Sequence, residues 1–122
     1  MTTITDIDQL SLPEIYNETI LHMVSKIREF PVVKGVILFG SCARQNVSEY
    51  SDIDLALVVP EPLSIEEEWN IDSLIRNWDT NLACDVIFVP ENVFDKEIKG
   101  DTVIRAIVNE GVRLDGLLYQ RV

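Results

Sequence analysis

Two short apolar runs, Val36-Ile37-Leu38-Phe39 and Leu55-Ala56-Leu57-Val58-Val59, bracket a polar segment, and the second run opens on the triplet Asp52-Ile53-Asp54. Runs this short and this rich in branched residues read as strands covered on both faces, so the chain is committed to a buried sheet. The triplet is the anomaly in that sheet. Side chains alternate along a strand, which places Asp52 and Asp54 on one face about 7 Å apart, with Ile53, Leu55 and Leu57 on the other. Aspartate is disfavoured in strands, and two carboxylates with roughly 4 Å between their oxygens repel by about 4 kcal/mol at an effective dielectric of about 20. Folding alone supplies no reason for the arrangement. A divalent cation does, because magnesium takes one or two hard carboxylate oxygens and completes its shell with substrate phosphates and water.

The 122 residues are expected to form one domain spanning 1–122, able to bury roughly two thirds of its unfolded surface. Its 21 acidic against 10 basic side chains, a formal net charge of -11, repel nucleic acid and anionic membrane, and no basic patch interrupts them. A basic protein partner or a small metal-bound nucleotide fits such a surface better, and plain solubility explains it equally well. Met1 to Leu10 has neither the basic start nor the apolar run of a secretory signal, and no segment approaches the roughly 20 apolar residues of a membrane span. A cytoplasmic protein is expected. Cys42 and Cys84 have no histidine near them in sequence, which argues against a zinc cluster, and Cys84 reads as a small core residue.

In chain order, Ser11 and Glu14 form a capping-box pattern with Pro13 in the first turn, and Ile15, Thr19, Ile20, Met23, Val24, Ile27 and Phe30 recur at helical spacing. A helix over about 12–29 is predicted, ended by Pro31, with His22 off the stripe and exposed. Gly40 ends the first strand. It lets a ligand approach the backbone, and Ser41 then opens a short helix with free amide groups; taken alone, the pair is more often a plain turn with Ser41 as cap. Ser64 and Glu67 form a second capping box before a helix to about Asn81 that packs both Trp69 and Trp78 in the core. A third strand, Cys84 to Val89, carries Asp85 at its start. Asp101 is read as the cap of a final helix with Ile104, Ile107 and Val108 inward, and Gly111 as its stop. Val112 to Leu114 then reads as a last edge strand. The tail with Leu117, Leu118 and Tyr119 has three candidate docking places: this domain, a second copy, or a partner.

A strand, a helical crossover and a strand favour parallel pairing, which brings Asp85 to the same sheet edge as Asp52 and Asp54. An antiparallel first strand would deliver Gly40 and Ser41 there too. Three carboxylates beside a glycine-serine turn can serve a two-metal phosphoryl transfer.

Gly40-Ser41-x-Ala43-Arg44, then Ser51-Asp52-Ile53-Asp54-Leu55, then Asp85 on the next strand, resembles the minimal nucleotidyltransferases of the DNA polymerase beta superfamily, most closely over 36–89. The resemblance implies an α+β fold with a small mixed sheet and helices packed on it. It further implies that Gly40 and Ser41, with Arg44 near the phosphates, hold ATP or another nucleoside triphosphate. Asp52, Asp54 and Asp85 would bind Mg²⁺ or Mn²⁺, with Asp85 also helping to activate an acceptor hydroxyl. Minimal members of this family are often paired with a helical HEPN-domain protein as antitoxin and toxin, and some transfer AMP to that partner; the alternative is an antitoxin that acts by occlusion. The family usually has glycine after the arginine, where this chain has Gln45. Toprim and haloacid-dehalogenase folds also use D-x-D. The first needs a glutamate where Gly40-Ser41 stands, and the second puts its apolar run before the acids.

Overall fold

The computed structural model describes residues 1–48, 51–77, 81–95 and 102–118. Three strands carry the centre: β2 (Gly35–Phe39), β3 (Ile53–Val59) and β4 (Cys84–Pro90). The sheet order is β1-β5-β2-β3-β4, with β1 at Thr2–Thr3 and β5 at Val112–Arg113. β3 and β4 run parallel, as the helical crossover predicts, and β2 runs antiparallel to β3, the direction that delivers Gly40 and Ser41 to the acidic edge. The mixed sheet follows from its links: a turn returns β2 to β3, whereas α3 (Ile65–Ile75) supplies the crossover that parallel strands need.

Alternation along β3 divides the core. Ile53, Leu55 and Leu57, with Val36 and Leu38 of β2, lie in the larger cluster under α1 (Glu14–Ile27) and α3. Ala56 and Val58 join Ile37, Val89 and Ile107 beneath α5 (Thr102–Glu110). Each fully buried Leu or Ile contributes about 1.5–3 kcal/mol.

Several expectations give way. Ser11 does not cap α1: its N–H donates to Gln45 Oε1 (2.6 Å), and Pro13 stands at the cap position without a side-chain bond. The buried stripe of α1 is Tyr16, Thr19, Ile20, Met23, Val24 and Ile27, while Ile15 is exposed, because a period of 3.6 counted back from Ile27 reaches Tyr16. His22 is half-buried. The Ser64 and Glu67 box forms as expected, but α3 ends at Ile75 and buries only Ile71 and Ile75. Trp69 is 67% exposed, because it lies on the side of α3 opposite Ile71 and Ile75. Val108 also faces outward, while Ile107 is buried as expected. β5 is interior, because Thr2–Thr3 adds a parallel strand outside it. The tail docks on its own domain as α6 (Asp115–Leu118): Leu117 is buried and its carbonyl accepts from Arg28 Nη2. Trp78, Asp101 and Tyr119 lie outside the described residues.

Candidate active site

The last residue of β2 delivers the chain to the acidic edge. Phe39 pairs with Asp54 across the antiparallel ladder, and Asp54 pairs with Asp85 across the parallel one. Register partners share a face, so both carboxylates stand on the α5 side at one end of the sheet. They meet in a hydrogen bond. Burial, and then the charges of Asp85 and Asp52, lift the Asp54 carboxyl from 3.8 to about 6, against the opposing field of Arg44. Below about pH 6 the Asp54 carboxyl thus keeps its proton among like charges that folding has pressed together.

Gly40 closes the other side of this corner. It opens α2 (Gly40–Ala43) at φ +72°, in the left-handed region, and a Cβ there would overlap Asp54 Oδ2. Only glycine satisfies both conditions. Ser41 follows in the same turn, half-buried, and Phe39 rather than Ser41 occupies the cap position, so the plain capped turn is not what forms.

Asp52 precedes β3 and is held through its backbone neighbours. Cys42 Sγ donates to the Asp52 carbonyl (3.3 Å), and Ile53 N donates to Ala83 O (2.9 Å). The Tyr16 hydroxyl reaches from α1 to Ser51 O (2.9 Å) and Ser48 O (3.2 Å). Burial first, and then Asp54, Cys84 and Asp52, push the Cys42 thiol up to about 11, so it remains a donor. Arg44, at the end of α2, is half-exposed and pairs through Nη1 with Glu110 Oε2 of α5 at 2.7 Å.

Gln45 occupies the position where the resembled family has glycine, and it adopts a glycine conformation, φ 56°. A left-handed non-glycine residue costs about 1–2 kcal/mol. Its side-chain bond to Ser11 N offsets part of that and ties the N-terminal segment to this loop.

All six sequence-predicted residues lie on or beside one edge. Asp54 is in reach of both Asp85 and Gly40, Asp52 and Arg44 act on Asp54 through charge, and Ser41 adjoins Gly40. Among the described residues no three acidic, histidine or cysteine side chains close into a preformed metal cage. The sequence reading missed Tyr16 and Glu110, and it singled out Cys42 without the bond to the Asp52 carbonyl. For Tyr16 a signal existed, since the stripe beginning at 16 fits the helical period better than one beginning at 15.

Known proteins can now be set beside this geometry. A solved toxin–antitoxin complex with AMP-PNP superimposes with a TM-score of 0.54 at 20% identity, over 82% of this chain and 72% of that one. An MntA–HpeT toxin–antitoxin variant gives 0.53 at 19%, over 81% and 71%. Identities this low show a shared fold. No curated protein matches the chain. Residues 21–114, from α1 through β5, match the nucleotidyltransferase domain family. Since that span takes in every strand of the acidic edge and helices on both faces of the sheet, the chain belongs to the nucleotidyltransferase domain family.

Proposed function

We propose that this protein transfers AMP, or another nucleoside monophosphate, from a nucleoside triphosphate to a hydroxyl on a partner protein of the HEPN type. The observation that carries the reading is the corner formed by Gly40, Asp54 and Asp85. Parallel pairing of β3 and β4 sets two carboxylates side by side, and a glycine is kept where any side chain would displace Asp54.

The donor set fits Mg²⁺ or Mn²⁺. Carboxylates without a closed cage suit an ion that keeps open positions for phosphate oxygens. Asp52, Asp54 and Asp85 would hold it, and when bound it supplies charge neutralisation at the α-phosphate. Gly40 permits the triphosphate to approach the backbone, with Ser41 beside it. Arg44 has one guanidinium nitrogen on Glu110 and further donors for phosphate oxygens. Asp85, exposed on the edge strand β4, is available to take the acceptor's proton. The acceptor oxygen then bonds to the α-phosphorus as the α–β bridge breaks and pyrophosphate leaves, with catalysis resting on positioning and charge.

Support for a protein acceptor comes from the fold neighbours, which are toxin–antitoxin complexes, one of them with AMP-PNP. A second reading, an antitoxin that occludes its partner and retains only weak nucleotide binding, is favoured by Gln45 holding a strained backbone beside the site. The deciding experiment supplies α-labelled or γ-labelled ATP, with magnesium, to the protein mixed with a HEPN-type protein encoded beside it. Partner labelling from the α position alone, abolished by chelator, is expected. Label from γ, or none despite tight partner binding, rejects the transfer.

A further inference from the structure

Between α2 and β3, Ser51 N donates to Ser48 O (3.1 Å) and Ser48 N to Ser51 Oγ (2.8 Å). The hydroxyl that bonds both serine carbonyls comes from the start of α1, 32 and 35 residues earlier in the chain. Tyr16 is 4% exposed, so its ring is locked by the core and the hydroxyl has little freedom to go elsewhere. Burial, and then the charges of Cys42 and Asp52, hold the phenol above its ordinary value, which keeps it a donor. Its single proton is shared between the carbonyls of Ser48 and Ser51, and Cys42 grips the next carbonyl, that of Asp52.

We propose that the Tyr16 hydroxyl is a positioning group for Asp52, and that it sets the affinity of the acidic edge for a divalent cation. This rests on the functional reading above. Ordinary satisfaction of a buried phenol would need only one acceptor. Two acceptors, one of them the carbonyl of the residue immediately before Asp52, fix the direction in which the chain enters Asp52. Groups that orient a ligating side chain typically change metal affinity by roughly 10-fold or more when removed.

The test is Tyr16→Phe, which keeps the ring and deletes the hydroxyl, read by electron paramagnetic resonance titration with Mn²⁺ alone and by melting temperature. A roughly 10-fold weaker Mn²⁺ affinity is expected. Ile20→Val, a core change one turn away at a buried position, serves as a stability control and should leave Mn²⁺ affinity unchanged. In an Asp52→Asn background, Tyr16→Phe should produce no further loss. The proposal is overturned by unchanged Mn²⁺ affinity in Tyr16→Phe, by equal loss in Ile20→Val, or by full additivity with Asp52→Asn. A wild-type protein that takes up no Mn²⁺ overturns the metal site itself, and this inference with it.

Discussion

The two faces of β3 are built from the same seven residues and serve opposite ends. Toward α1 and α3, Ile53, Leu55, Leu57 and Val59 are completely buried in hydrocarbon. Toward α5 the strand changes character along its length, from Ala56 and Val58 in a small core to Asp54 among other carboxylates at the end. Stability is concentrated on the first face, and the second gives some of it up to keep charges together. A bond between adjacent residues of one strand therefore separates a purely structural side chain from one whose placement opposes folding.

The sharpest way to break this contrast is Leu55→Ala. Removing a fully buried leucine costs about 2–5 kcal/mol, a large share of a small domain's stability. Denaturant melts should show that loss. Mn²⁺ affinity of the folded fraction should stay near wild type if the faces are independent.

Asp54→Asn probes the other face in the opposite direction. The folded-state value of about 6 lies above the ordinary 3.8, so the folded protein binds the Asp54 proton more tightly than the unfolded chain does. That contribution is complete below the ordinary value and is lost as pH rises through about 6. Wild-type protein without metal should therefore lose stability across that window, and the variant should lack this part of the slope. Asp54 is partly open to solvent, so a gain of about 1 kcal/mol, near 4 °C in Tm, is expected for the variant at neutral pH. Thermal melts from pH 4 to 8 check it, and a variant less stable than wild type at pH 7 would refute the account.

The smallest effect belongs to Gln45→Gly, which relieves the left-handed strain but deletes the bond to Ser11 N and loosens the unfolded chain. These terms oppose one another, and the change in stability should be within about 1 kcal/mol. A large rise in nucleotide-dependent melting shift in this variant would favour the reading in which Gln45 weakens the site.

The acidic edge was legible because each of its signals is local. D-x-D in an apolar run, glycine and serine after a strand, and an aspartate at the start of the next strand need only the period of a strand and the handedness of a crossover to be joined. Ser11 and Trp69 were misread for the complementary reason. A capping box and a helical stripe state what a segment can do, whereas Gln45 and the face of α3 that carries Ile71 and Ile75 decided what these segments did.

By itself the sequence determined the three central strands, the parallel pairing of β3 with β4, and the sheet edge that Asp54 and Asp85 share, since alternation and connection length depend only on neighbouring residues. Tertiary structure decided the rest. It brought Thr2–Thr3 outside β5, set Glu110 on Arg44, and carried the Tyr16 hydroxyl to the Ser51 carbonyl before Asp52. Those contacts join residues far apart in the chain, and their partners are selected by which surfaces remain after the core has packed, a condition that no local pattern encodes.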